Sequence, residues 1–437
     1  MTAQSKRLNI LFTTWEGGGN IPPVATAARQ LIARGHRVRV MSDEASRRAI
    51  ETSGAVFVPW REGPNRPNHD LVHDTVRDFD AVGPMGGIEK LRDVILAGGA
   101  LGYARDTAAE LDREDTDLIV SSEMTLGAMV AAEARGVPLA VLMANVSLLP
   151  IPGIPALGPG LPPPVNDEER AMHAAIAEGG RAMFNLGLPA LNAARAAFGL
   201  RPLTELFAQT DWASHVLIGT SAAFDYPSGV LPPRFAYVGP LLGEPDWAAA
   251  WQSPWDKFDP RPSVLVSFST TFQNQSAQIA NTIAALGRLP VRALVTLGPA
   301  IKRASIGVVP ENVTVRASAP HDRAMREAGV VVTHAGHGTV ARALSHGRPL
   351  LCLPMGRDQN DNAARVAFHG AGLRLENTAG PAKIAAALKR LIGEGAFRDA
   401  ARRLQGAILN DITAARLIGH LEEAAAAGRA PALAPAA

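Results

Sequence analysis

Apolar residues fall along the chain in short unbroken runs, separated by longer stretches where they recur every three or four positions. The runs read as buried strands and the stretches as amphipathic helices. In the first half, residues 8–13, 38–41, 55–59, 117–121, 137–143 and 216–219 are expected strands, and 24–34, 45–53, 88–110, 125–135 and 168–198 expected helices. In the second half the expected strands are 264–268, 291–297, 313–317, 330–332 and 349–354. The expected helices there are 278–288, 322–328, 340–346, 363–369, 382–392, 397–404 and 412–426. Strand and helix alternating twice over predict an α/β chain with two open parallel sheets, whose ligands sit beyond the carboxyl ends of the strands.

Punctuation divides the pattern. Residues 148–165 hold seven prolines and three glycines, a connection that regular structure cannot accommodate. Pro227, Pro232, Pro233, Pro240 and Pro245 mark a second irregular stretch. We therefore expect a first domain over 1–225, a linker over 226–262, a second domain over 263–410, a terminal helix over 411–426 and a disordered Ala/Pro tail over 427–437.

Composition narrows the function mainly by exclusion. The chain has 437 residues, enough for two or three domains. Its 43 Lys+Arg against 41 Asp+Glu leave a formal net charge of +2, which gives no reason to expect nucleic acid or an acidic membrane as partner. The single Cys352 excludes an internal disulfide and cannot anchor a metal cluster. No window approaches the roughly 20 apolar residues of a membrane span, so the expectation is a cytoplasmic protein without stable membrane insertion. His69 and His73, each followed by an Asp, have helical metal-pair spacing. No motif supplies a third ligand, and the segment 61–87 is read as a solvated loop or cleft wall.

Candidate chemistry concentrates in residues 330–362. An apolar strand leads through Thr333-His334-Ala335-Gly336-His337-Gly338-Thr339 into a helix start. The unpaired N–H groups and positive dipole end there suit a phosphate. Gly336 and Gly338 let the backbone approach it, Thr339 offers a hydroxyl and His334 an imidazole. After the next strand, Asp358 and Gln359 place a carboxylate beside a carboxamide, a pairing suited to sugar hydroxyls.

The order His334-x-Gly336-x-Gly338-Thr339, then Gly347-Arg348-Pro349, Pro354 and Asp358-Gln359 resembles the donor signature of family 1 glycosyltransferases of GT-B fold. The N-terminal Gly-x-x-x-Pro loop before its helix, closed by Arg34-Gly35-His36, resembles the same family. The resemblance implies two facing Rossmann-like domains with a C-terminal helix crossing back to the first. It also implies an inverting, metal-independent transfer of a hexose or deoxyhexose from a UDP- or TDP-sugar to a small hydrophobic acceptor, aromatic, polyketide-like or lipid. No further cofactor is implied, and a homodimer is compatible with it. His334, Gly336, Gly338 and Thr339, with Ser269 and Thr270, would hold the diphosphate, Ser318 and Ala319 would meet the base, and Asp358 and Gln359 the sugar.

The sequence departs from the family where the acceptor is deprotonated. The loop position of the usual basic His holds Asn20, and a carboxamide cannot take a proton. Glu16 and Glu123 are the nearest carboxylate candidates, Glu123 having the alternative role of a helix N-terminal carboxylate. Arg342 stands where many relatives carry a Glu for the ribose. A catalytically silent GT-B partner or nucleotide-sugar binder, and an epimerase acting on the nucleotide sugar, remain as alternatives.

Overall fold

The computed structural model describes residues 7–83, 85–243, 250–268, 271–298 and 301–427. Its first sheet contains β1 (Asn9–Thr13), β2 (Arg37–Ser42), β3 (Val56–Pro59), β4 (Leu118–Ser121), β5 (Leu139–Met143), β6 (His215–Ile218) and β7 (Phe235–Tyr237). The second contains β8 (Ser263–Ser267), β9 (Arg292–Thr296), β10 (Val313–Arg316), β11 (Val330–Thr333), β12 (Leu350–Cys352) and β13 (Gly372–Arg374). The spatial orders are β3-β2-β1-β4-β5-β6-β7 and β10-β9-β8-β11-β12-β13, and every pairing is parallel.

Parallel sheets are covered by helices on both faces, which is why their strands read as unbroken apolar runs. In β1, Leu11 packs into the core around Trp60 and Tyr103, while Ile10 and Phe12 pack into a second core with Leu31, Leu417 and Leu421. The second core explains the terminal helix. Helix Gly395–Ala414 packs on the second domain against helix His337–Ser345. Ala415 turns the chain in the left-handed conformation (φ 45°), and helix Arg416–Ala426 lies on the first sheet. Leu417 and Leu421 are fully buried there, each worth about 1.5–3 kcal/mol. Glu422 adds contacts to Arg34 at 3.0 Å and His36 at 3.1 Å. The crossing back to the first domain is thus built from long-range burial.

Several expected boundaries move. Pro22 and Pro23 lie in the first turn of helix Ile21–Ala33 rather than in the loop before it; proline is tolerated there because the first turn's N–H groups lack partners anyway. The helix expected over 88–110 is interrupted after Leu96 and resumes as Ala100–Arg113, since glycine weakens a helix interior and Gly98 and Gly99 occur in tandem. The 168–198 helix is two, Asp167–Asn185 and Leu188–Ala197. The stretch read as a linker supplies β7, which pairs with β6. Cys352 is buried in β12. The tail beyond Ala427 lies outside the described residues. Among the described residues no helix is long and apolar enough to cross a membrane.

Candidate active site

In both sheets the strand order reverses beside the first strand, between β1 and β4 and between β8 and β11. Crevices at such switch points are the usual ligand sites of open α/β sheets. The loops after β1 and β4 carry Glu16, Asn20 and Glu123, and the loop after β11 carries His334. The candidate residues of the two halves therefore lie at equivalent places in the two domains.

On the second domain, β11 ends at Thr333 and helix His337–Ser345 begins after Gly336. Ala335 connects them at φ 71°, a left-handed conformation costing an alanine roughly 1–2 kcal/mol. Asn362 Nδ2 donates to its carbonyl at 3.0 Å and holds it there. A side chain on Gly336 would collide with the His334 imidazole, whereas the space above Gly338 is open and Gly338 is exposed. The helix start thus offers its backbone to the cleft at Gly338 and half-buried Thr339, with the His334 ring lying over Gly336. His334 stacks against Phe268, and burial, helped by the charge of Arg357, lowers its pKa to about 3. It is a neutral hydrogen-bonding group at any physiological pH.

Not every polar group of the motif faces a ligand. His337, also neutral with a pKa pushed down to about 4 by burial and Arg365, contacts Thr220 Oγ1 of the first domain at 2.9 Å. It is a strut between domains, and no local signal in the sequence set it apart from His334. Ala319 is buried and Ser318 half-buried at the carboxyl end of β10, on the same edge as His334. Ser269 and Thr270 lie outside the described residues. Arg342 reaches the Gly243 carbonyl at 2.7 Å.

The pair expected to meet the sugar, Asp358 and Gln359, separates into two roles. Gln359 is buried, and its Oε1 accepts from the N–H groups of Met355 at 2.8 Å and Gly356 at 3.2 Å while its Nε2 donates to Gln273 at 2.9 Å. Its amide shapes the loop. Asp358 is half-buried and accepts from Asn362 Nδ2 at 2.8 Å and from Asn145 Nδ2 of the first domain at 3.4 Å. Burial raises its pKa.

On the first domain, Glu16 folds back into its own loop, where Gly18 N–H donates to it at 2.9 Å and burial raises its pKa against the pull of Arg66 and Arg357. Asp43 braces the same loop through the N–H groups of Glu16 at 2.7 Å and Arg66 at 2.6 Å. In the segment holding His69 and His73, His73 contacts Asn68 at 2.8 Å, and Asp74 pairs with Arg66 at 3.4 Å. Asn20 makes no side-chain cap to its helix. With Thr13, Thr14 and Ser122 it lines a void of ≈ 10 Å³, room for about one water. Next to Ser122 stands Glu123, whose Oε2 accepts from the Ser122 hydroxyl at 3.1 Å. Burial, with Asp358 adding its charge from the other domain, pushes Glu123 up to about 7.

The two halves are fastened together around these groups. Arg357, left-handed at φ 55°, donates to Asp78 at 2.6 Å and to the Gly17 carbonyl at 3.0 Å. The N–H groups of Gly158 and Gly160, in the proline-rich loop of the first domain, donate to Asp361 at 2.8 and 3.3 Å.

Comparison with known proteins agrees with this fold. Residues 280–424 match the family described as erythromycin biosynthesis protein CIII-like, C-terminal domain. The 4'-demethylrebeccamycin synthase of Lentzea aerocolonigenes is 27% identical over 415 residues, covering 91% of this chain and 94% of that protein. The chain has the GT-B fold and is related to glycosyltransferases that use nucleoside diphosphate sugars. The oleandomycin glycosyltransferase of Streptomyces antibioticus is likewise 27% identical, over 86% of this chain and 81% of its own length. In architecture it is similar to the crystal structure of the calicheamicin glycosyltransferase CalG4, with a TM-score of 0.73 and 21% identity over 98% of this chain and 100% of that one. The comparisons support an enzyme acting with a nucleoside diphosphate sugar.

Proposed function

We propose that the enzyme moves a hexose or deoxyhexose from a nucleoside diphosphate sugar onto a small hydrophobic acceptor of aromatic or polyketide-like type, with inversion at the anomeric carbon. The names of its relatives, a 4'-demethylrebeccamycin synthase and an oleandomycin glycosyltransferase, support that acceptor class. The diphosphate rests on the start of helix His337–Ser345, at Gly336, Gly338 and Thr339, with neutral His334 as a further hydrogen-bond partner. There the fixed N–H dipoles stabilise the negative charge that grows as the bond from C1 to the diphosphate oxygen breaks. Asp358 holds a sugar hydroxyl, and Gln359 keeps the Asp358 loop in shape. Ser269, Thr270, Ser318 and Ala319 complete the nucleotide side.

The base is Glu123. The acceptor oxygen forms its bond to C1 on the face opposite the leaving diphosphate, and its proton passes to Glu123. Asn20 orients the acceptor hydroxyl or a bridging water. Glu16, spent on its own loop, is a positioning residue. One observation carries this assignment: Glu123 is a buried carboxyl that feels Asp358 across the cleft and titrates near 7, where a general base works best.

The experiment is transfer from UDP- and TDP-sugars to a panel of phenolic and macrolide-like acceptors, read by mass spectrometry, with wild type and Glu123→Gln. A conjugate from wild type and a large loss of rate in the variant are expected. Undiminished turnover by Glu123→Gln would remove Glu123 from the role; donor binding without a conjugate from any acceptor would remove the acceptor class. The same reading takes the enzyme as a cytoplasmic protein, with a homodimer as the form to check by light scattering.

A further inference from the structure

A second constellation lies at the far end of the first sheet. His215 opens β6, and because the strands are parallel it sits at the edge opposite the cleft. His420 and Glu423, one turn apart on the returning helix Arg416–Ala426, lie over it. One ligand atom from each of the three lies within 4.8 Å of the others. Glu423 Oε2 is 3.6 Å from His420 Nδ1 and 3.9 Å from His215 Nε2, and the two rings are 5.8 Å apart.

Hydrogen bonding favours the ligand form of the His215 imidazole. The Ser214 hydroxyl donates to the Leu139 carbonyl at 3.3 Å, which leaves its oxygen to accept from His215 Nδ1–H at 3.0 Å. The other nitrogen, Nε2, then carries its lone pair toward Glu423 and His420. A ligating His whose second nitrogen is fixed by such a bond is the usual outer shell of a metal site. His420 Nδ1 is itself buried and has no hydrogen-bond partner, a cost that a Lewis acid would remove. A tetrahedral zinc site needs donors separated by roughly 3.4 Å, from metal–ligand distances of about 2.0–2.2 Å. The two distances to Glu423 exceed that spacing by about half an ångström or less; its side chain is 69% exposed, while the two His are 22% and 29% exposed.

We propose that His215, His420 and Glu423 bind one zinc ion, or a similar borderline divalent cation, as a clip fastening the C-terminal returning helix to the first-domain sheet. The clip stands apart from the transfer chemistry. It acts on the element that joins the two domains, since the helix preceding it packs on the donor half.

The test uses untagged, chelator-stripped enzyme and ZnCl2. Calorimetry is expected to show one saturable site per chain, and the Tm to rise by about 3 °C at ~100-fold excess over Kd. His420→Gln and Glu423→Gln should each weaken binding at least tenfold, while His173→Gln, on the helix Asp167–Asn185, should leave it intact. In wild type, zinc should protect His215 and His420 from carbethoxylation, mapped by peptide mass spectrometry, which keeps the test independent of how the variants fold. Absence of saturable binding, equal binding by His420→Gln and Glu423→Gln, or no protection of the two histidines would each overturn the proposal.

Discussion

Arg357 Nε stands 2.6 Å from Asp78 Oδ2, so the residue beside Asp358, the proposed sugar contact, is held by a loop of the other domain. Both side chains are largely buried, and breaking such a pair leaves an uncompensated charge. Asp78→Asn is expected to lower kcat/KM by roughly 10–100-fold, about 1.4–2.8 kcal/mol, by loosening Asp358 and the Gly17 loop together. In a double-mutant cycle with Arg357→Ala, the Asp78 change should add little. Additive losses in steady-state kinetics would show that the two residues act separately.

Glu123→Gln should cut kcat by about 10²–10⁴, the usual worth of a general base, with donor affinity kept. Because the base works unprotonated, wild-type kcat should rise with pH through about 7, and the variant should lose that limb. A pH–rate profile unchanged by the substitution would contradict the assignment.

The same carboxyl makes a stability prediction. Its folded pKa is raised, from an ordinary 4.5 to about 7, so between those values the native state binds the extra proton. Stability contributed by the protonated form is present below about pH 4.5 and lost as pH rises through 7. The shift corresponds to a penalty on the order of 3 kcal/mol above pH 7. Thermal unfolding of Glu123→Gln should therefore be higher than wild type at pH 8 and close to it at pH 4.5.

His334→Ala should weaken nucleotide-sugar binding by roughly 1.5–3 kcal/mol, the scale of a hydrogen bond to a charged group. Since His334 titrates near 3, wild-type donor affinity measured by calorimetry should show no step near pH 6.5 from this residue. Unchanged affinity in the variant would end its diphosphate role.

Two glycines two residues apart should respond differently. Gly336→Ala forces the added methyl onto the His334 ring and is expected to lower both stability and donor binding. Gly338→Ala meets open space, so the Tm should barely change while donor affinity falls, the methyl standing where the diphosphate approaches. Thermal shift with and without UDP separates the two.

What was legible in the sequence was local. The strand, turn and helix of 330–346 are legible because consecutive residues carry them, and the amphipathic period expected over 412–426 marks the returning helix, which in the structure is Arg416–Ala426, residues 412–414 belonging to the helix before it. Two parallel sheets follow from apolar runs alternating with helices. Boundaries shifted where a residue type has two structural meanings: Pro22 and Pro23 end a loop or begin a helix equally well, and residues 235–237 carry too few apolar positions to reveal an edge strand. Asp358 and Gln359 look equivalent in sequence, yet one accepts across the cleft and the other stitches its own loop.

Tertiary structure alone decided which groups meet. Glu123 and Asp358 are 235 positions apart, and only the folded, facing domains bury Glu123 and add the charge of Asp358, which together raise its pKa. His337 on Thr220, Arg357 on Asp78, and His215 beside His420 are of the same kind. Periodicity and motif register backbone geometry over a turn or two. Burial, charge coupling and ligand constellations depend on distances through space, which the order of residues does not encode until the chain has folded.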